Sequence, residues 1–245
     1  MATLFVSDVH LSVERPSPVE RFIHFLATEA PRADALYLLG DVFDLWLGDD
    51  DLRPPNAEVL QALATISRGG VPVYAMHGNH DFLLAEGFAH AAGCRLLPDP
   101  VVVHLYGERV LVSHGDVFCT DDHHYQEWRA FTRNRTAQAV FRNLPLALRR
   151  AYAALVRRTS RARTSLKPRE IMDVNAGAIA AAMHEHGVRR LIHGHTHRPG
   201  VYPVALDGTS GERVVLGDWY EQDSALVWGP EAYRLCRLAD LAEVL

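Results

Sequence analysis

The chain has 245 residues, 48% of them hydrophobic and 22% charged, which fits a soluble globular protein with one large core and excludes a disordered or fibrous chain. No apolar run reaches the ~18 residues that a membrane span needs, and the N-terminal MATLFVSDVH lacks the regions of a signal peptide, so a cytoplasmic protein is expected. The formal net charge of -5 is unevenly spread, because the segment from Arg129 to Arg169 holds 12 basic residues and no Asp or Glu, which argues for an anionic partner met by that segment.

In chain order, TLFVS (3–7), ALYLL (35–39) and VPVYAM (71–76) read as strands, and helical segments lie between them. One carries the apolar stripe Val19, Phe22, Ile23, Leu26 and the next Val59, Leu60, Leu63, Ile66. That alternation predicts a parallel sheet with right-handed crossovers. VVVHL (101–105) and RVLVS (109–113) follow, joined by Tyr106-Gly107, whose brevity suits antiparallel pairing. From about Asp122 to Asn143 and from Pro145 to about Ser160 the sequence reads as helix, with Leu148, Tyr152, Leu155 and Val156 on one face. A helical insertion, or cap, over about 122–168 is therefore expected within a single domain of residues 1–245. RLIH (190–193), RVVLG (213–217) and SALVWG (224–229) complete the strands. A mixed sheet, or two sheets packed face to face and flanked by helices, follows. Cys94, Cys119 and Cys236 form no CxxC pair or even framework and read as free thiols.

Five blocks place Asp, His or Asn directly after a strand run: FVSDVH (Asp8, His10), LLGDVFD (Asp41, Asp44), MHGNHD (Asn79, His80, Asp81), VSHGD (His114, Asp116) and IHGHTH (His193, His195, His197). In α/β sheets the carboxyl ends of strands converge on one crevice, so residues from distant blocks can meet there. A mixture of carboxylate, imidazole and amide suits Mn, Fe or Zn better than Ca or Mg, which favour oxygen shells. Two such cations can hold a hydroxide at neutral pH and neutralise charge in an in-line displacement at phosphorus. Asp44 and Asp81 read equally as supporting carboxylates, and Asp49-Asp50-Asp51 reads as a solvated loop.

The ordered set D8-x-H10, G40-D41-x-x-D44, G78-N79-H80-D81, H114-G115-D116 and G194-H195-T196-H197 resembles the calcineurin-like metallophosphoesterase superfamily. The resemblance implies α/β architecture, a four-layer αββα sandwich of two mixed sheets flanked by helices. It also implies two metals, one held by Asp8, His10, Asp41 and His197 and the other by Asp41, Asn79, His114 and His195, with Asp41 bridging and holding the reactive hydroxide. Over nearly the whole chain, through ADALYLLGDVFDLWLGDDD, HGDVFCTDD, IMDVN, LIHGHTHRP and VVLGDW, the sequence is similar to the UDP-2,3-diacylglucosamine diphosphatase family of lipid A biosynthesis.

That likeness implies manganese, an acylated UDP-sugar lipid substrate, attack of water at the α-phosphorus, and a peripheral place on the cytoplasmic face of the inner membrane. It carries substrate contacts to Asn79, Asp122, Ser160, Lys167 and His195. His80 and Thr164 depart from a member of that family that has arginine and asparagine there; His80 restores the superfamily's own residue, a candidate general acid or phosphate contact. The insertion's apolar face suits acyl chains and its arginines suit anionic lipid. No interleaving of aromatic and basic residues marks a nucleic-acid platform, and no obligate protein partner is indicated. Two alternatives are a phosphodiesterase of other specificity and a catalytically silent scaffold of the same fold, the latter disfavoured by a complete ligand set.

Overall fold

The computed structural model describes residues 2–164 and 173–245, the side chains of 157–164 excepted. In chain order the elements are β1 (Thr3–Val6), α1 (Pro16–Thr28), β2 (Ala35–Leu38), α2 (Asn56–Arg68), β3 (Val73–Met76), α3 (Glu86–Ala92) and β4 (Arg95–Leu97). Next come β5 (Val101–Leu105), β6 (Glu108–Val112), α4 (His123–Thr132), α5 (Arg135–Arg142), α6 (Leu146–Thr164) and α7 (Ala176–Glu185). The chain closes with β7 (Arg190–His193), β8 (Gly200–Leu206), β9 (Thr209–Val215), β10 (Ser224–Trp228), β11 (Tyr233–Arg237) and α8 (Leu241–Val244).

Two mixed sheets stack face to face. The first has the order β11-β10-β1-β2-β3-β4 and the second β5-β6-β7-β9-β8. In the first, β1 to β4 run parallel, because α1 and α2 supply the crossovers, and β10 and β11 add antiparallel edges. In the second, β6, β7 and β9 are parallel, while β5 and β8 close antiparallel hairpins.

Three apolar layers account for the stack. Phe5, Tyr37, Leu39 and Met76 face Val110, Val112, Ile192 and Val214 between the sheets. Phe22, Leu26, Val59, Leu63 and Phe88 of α1 to α3 cover the outer face of the first sheet, and Ile179 and Met183 of α7 cover that of the second. Each fully buried side chain of this size contributes about 1.5–3 kcal/mol. The result is the αββα sandwich of two mixed sheets.

The insertion departs from expectation in two ways. The helix expected over 122–143 is broken, since Arg133 ends α4 and Asn134 caps α5 by accepting the Ala137 N–H at 3.0 Å. The α6 face that turns to the core carries Arg149 and Ala153, whereas Leu148, Tyr152 and Leu155 stay exposed. Arg149 is 2% exposed; it donates to the carbonyls of Leu47 and Leu144 and forms a forked ion pair with Asp50. Arg150 pairs with Asp51 at 2.9 Å. The 49–51 segment is therefore only partly solvated, at Asp50, and supplies the counter-charge of α6, while Asp49 accepts from Trp46 Nε1 and the Ala85 N–H. Among the described residues no helix is long and apolar enough to cross a membrane.

Candidate metal centre

The candidate ligands occupy the turns that leave the carboxyl ends of β1, β2, β3, β6 and β7. Their backbone is unusual. Asp8, His10, Asp41, His195 and His197 all have positive φ, at 53°, 51°, 52°, 67° and 52°. Non-glycine residues rarely occupy that region, and such strain clusters where function requires a fixed geometry. Glycines let the turns nest: a Cβ on Gly78 would lie 2.0 Å from Asp41 Oδ1, and one on Gly194 2.3 Å from Asp8 Oδ2.

Asp81 draws the second and third blocks together. Its buried carboxylate accepts the backbone N–H groups of Gly78 at 2.7 Å, Val42 at 2.8 Å and Asp41 at 3.3 Å. It therefore braces the Asp41 turn. Asp8 Oδ2 accepts from Ser7 Oγ and the His195 N–H, at 2.6 and 2.9 Å, which joins the first and fifth blocks. Among the described residues Asp8 Oδ1 is buried without a well-formed hydrogen-bond donor, 3.3 Å from His197 Nε2.

Asp41 Oδ2 lies at the centre. His114 Nε2 is 3.7 Å away, His10 Nε2 3.8 Å and His80 Nε2 4.0 Å. His10 and His197 direct their Nε2 atoms at one another across 3.4 Å. His114 donates from Nδ1 to the Leu39 carbonyl at 2.9 Å, which leaves Nε2 directed into the centre, 3.0 Å from Asn79 Oδ1. A carbonyl partner on one ring nitrogen, with the other free to ligate, is the usual support of a metal-binding histidine. Asp8, His10 and His197, His10, Asp41 and His80, and Asp8, Asp41 and His114 each form a group that can hold an ion. The donors fit two cations: an orphaned carboxylate oxygen faces one histidine pair, and a shared carboxylate faces three imidazoles.

The electrostatics agree. Burial disfavours a charged His114, yet Asp41, Asp8 and Asp116 around it raise its pKa to about 9. Burial opposes protonation of His197 too, but Asp218 and Asp8 lift it to about 10. Burial pushes Asp41 up to about 6, with Asp81 and Asp8 adding repulsion. His195, buried beside His114, is lowered to about 3. Protons thus hold part of the positive charge that the buried carboxylates demand, and cations can replace them.

Not every expected residue joins the centre. His193 is fully buried and turns away, its Nδ1 on the Gly194 carbonyl at 2.9 Å. Asp116 accepts from Tyr125 Oη at 2.7 Å and Arg129 Nε at 2.9 Å, tying α4 to the His114 turn. Asp122 caps α4 by accepting the Tyr125 N–H at 3.1 Å. The Ser160 and Thr164 side chains and all of Lys167 lie outside the described residues. Asp44 offers its backbone carbonyl to His80 Nδ1 at 2.9 Å.

Sequence reasoning missed Asp218, whose Oδ2 lies 3.5 Å from His197 Nδ1. The signal was present, because VVLGD repeats the strand-Gly-Asp pattern of LLGD. It also missed Tyr220, stacked on His10 at 5.4 Å, and Tyr125, stacked on His195 at 5.9 Å.

A two-sheet sandwich with such a cluster at its strand ends defines a metal-dependent phosphoesterase, and residues 1–199 match the calcineurin-like phosphoesterase family, to which this chain belongs. More narrowly, it is similar to proteins named UDP-2,3-diacylglucosamine hydrolase. The Aeromonas hydrophila protein is 48% identical over 235 residues, 96% of this chain and 98% of its own length. That of Stutzerimonas stutzeri is 49% identical over 91% of this chain and 93% of its own length. The Pseudomonas aeruginosa PAO1 protein is 48% identical, covering 92% and 94%. The chain is a metal-binding hydrolase of this group.

Proposed function

We propose that the protein hydrolyses the pyrophosphate of UDP-2,3-diacylglucosamine with manganese, water attacking the α-phosphorus to give UMP and 2,3-diacylglucosamine 1-phosphate, a step of lipid A biosynthesis. The observation that carries this reading is an open apolar cavity of about 890 Å³ beside the metal centre, between α4 to α6 and the core. Phe82, Trp128, Phe131, Val140, Leu148 and Tyr152 line it. Phe82 directly follows the Asn79-His80-Asp81 turn, so an acyl chain seated there would bring its own phosphate to that turn. A small water-soluble diester has no use for such a chamber.

When bound, two divalent cations supply an activated water and neutralise charge on the reacting phosphate. Asp41 would serve both cations, and Asn79 would help to hold one of them. His80 is oriented by the Asp44 carbonyl, and as the imidazolium, with protons on both ring nitrogens, it would donate from Nε2 to the leaving oxygen. Exposed Phe131, Val140 and Leu148 around the cavity suit contact with the lipid surface that holds the substrate, which makes the enzyme peripheral to the cytoplasmic face of the inner membrane. Ser160, Thr164 and Lys167 remain proposed substrate contacts.

Turnover of the acylated UDP-sugar should be compared with that of an aryl phosphodiester, in oxygen-labelled water. Preferred turnover of the lipid with label in UMP supports the reading. Efficient diester hydrolysis with no lipid turnover overturns the substrate, and label in the sugar phosphate overturns the site of attack.

A further inference from the structure

A histidine that binds a metal through one ring nitrogen is ordinarily held by a hydrogen bond at the other, which fixes the plane of the ring. Three candidates around Asp41 have a polar partner there. His114 Nδ1 and His80 Nδ1 meet the carbonyls of Leu39 and Asp44, each at 2.9 Å, and His197 Nδ1 lies 3.5 Å from Asp218 Oδ2. His10 has none. Its Nε2 is directed into the centre, 3.8 Å from Asp41 Oδ2, yet its buried Nδ1 has no hydrogen-bond partner among the described residues. The His10 N–H donates to the Asp41 carbonyl at 2.9 Å, which fixes the backbone but does not orient the ring.

An aromatic ring takes the place of the missing partner. Tyr220 stacks on His10 with centroids 5.4 Å apart and planes 17° from parallel, whereas His80 and His197 meet the same ring at 83° and 61°. The near-parallel contact is the one that resists tilting of His10 out of its plane. Tyr220 is itself held: its N–H donates to Asp218 Oδ1 at 2.9 Å, and the Arg15 guanidinium lies 4.1 Å over the centre of its ring. Its hydroxyl makes no hydrogen bond to a described residue, which leaves the ring face as its contribution.

The same turn reaches the neighbours of His10. Trp219 donates its N–H to the Asp8 carbonyl at 3.3 Å, and Gln222 Nε2 donates to the His197 carbonyl at 3.0 Å. Residues 218–222 thus touch Asp8, His10 and His197, the set proposed for one cation besides the shared Asp41. The other set is backed from α4, where Tyr125 stacks on His195 at 5.9 Å. We infer that Tyr220 is the positioning residue of His10, its ring face standing in for the missing hydrogen bond and setting the plane in which Nε2 meets that cation. The inference rests on the two-metal reading above and concerns one of its two sites. That site then answers to the flatness of residue 220 and not to its hydroxyl.

Manganese titrations followed by spin resonance and calorimetry test this on the full chain, because an isolated ion and a coupled pair give different signals. Tyr220→Leu, which keeps apolar bulk but not the flat face, should weaken one site about tenfold or more, the usual loss when the support of a ligand is removed, and leave the other unchanged. Tyr220→Asn, which suits a turn, should do the same, so the outcome does not depend on the folding of one variant. Tyr220→Phe should load like the wild type. Wild-type affinity at both sites in the leucine and asparagine variants overturns the role. So does an equal loss at both sites, which marks a general loosening, or a phenylalanine variant as weak as the leucine one, which assigns the effect to the hydroxyl. Wild-type protein that binds fewer than two manganese ions overturns instead the reading on which the role rests.

Discussion

Replacing Arg149 by Met should release the insertion from the core without unfolding the sandwich. The guanidinium is 2% exposed, but its partner Asp50 is 59% exposed, so the ion pair itself is screened and contributes well under about 1 kcal/mol. The bonds to the carbonyls of Leu47, at 2.5 Å, and Leu144, at 2.9 Å, are charge-assisted. Each contributes about 1.5–3 kcal/mol, part of which returns when water reaches the freed carbonyls. Methionine fills much of the vacated volume. The net cost is about 2–3 kcal/mol, which increases local opening of α6 on the order of 50-fold. Hydrogen exchange followed by mass spectrometry reads this directly: amides of residues 146–156 should lose protection while those of β1 and β2 keep theirs. Unchanged protection in α6, or an equal loss in β1, would refute the latch. The same variant should bind two manganese ions and yet lose at least about tenfold in kcat/KM on the lipid substrate.

Manganese affinity should climb with pH between about 6 and 9. His114 and His197, raised to about 9 and 10, carry protons in the metal-free protein that a cation must displace. Each displaced proton contributes up to about tenfold per pH unit. Titrations in buffers of different ionisation enthalpy count the protons released, and a pH-independent affinity would contradict the arrangement. Asp218→Asn should weaken one of the two manganese sites by about 10–100-fold through His197, seen as a split in a spin-resonance titration, whereas two unaltered sites would remove Asp218 from the account. Gly78→Ala should abolish metal binding while leaving far-ultraviolet circular dichroism intact, because its Cβ would lie 2.0 Å from Asp41 Oδ1; an alanine variant that loads normally would show that the turn can yield.

The inner strands and α1 to α3 were legible in sequence because each buries a continuous apolar run or stripe. The strands that escaped, β4, β8 and β11, are all sheet edges. β4 has three residues, and β8 opens on Gly200 and carries Pro203, which an edge tolerates and an interior strand does not. The candidate ligands were legible for a different reason: strand, small residue and Asp or His recur five times, and convergence at strand ends follows from the topology. What supports those ligands was not legible, because it is tertiary. That Tyr220 lies on His10, or that Asp116 turns from the metals to Tyr125 and Arg129, depends on packing between segments about 100 to 200 residues apart or on the cap's docking, which no local pattern encodes.

The arginine-rich segment also has a role that composition does not reveal. Its charge calls for an anionic partner, and four of its twelve basic residues also turn inward. Arg129 meets Asp99 and Asp116, Arg133 lies 3.6 Å from Asp116, and Arg149 and Arg150 meet Asp50 and Asp51. Four of the segment's twelve positive charges are thus met by core carboxylates where insertion and core join. The two contacts are not equivalent. Asp50 and Asp51 fix only where α6 rests, whereas Asp99 also accepts the N–H of His114 at 3.2 Å and Asp116 closes the same turn. The contact that docks α4 therefore also sets the position of His114, a candidate metal ligand. Screening by salt should loosen the exposed α6 pairs before the buried α4 pairs, so substrate use would weaken at moderate ionic strength while metal binding persists. The apolar chamber can then vary with α5 and α6, because α4 holds the His114 turn independently of them.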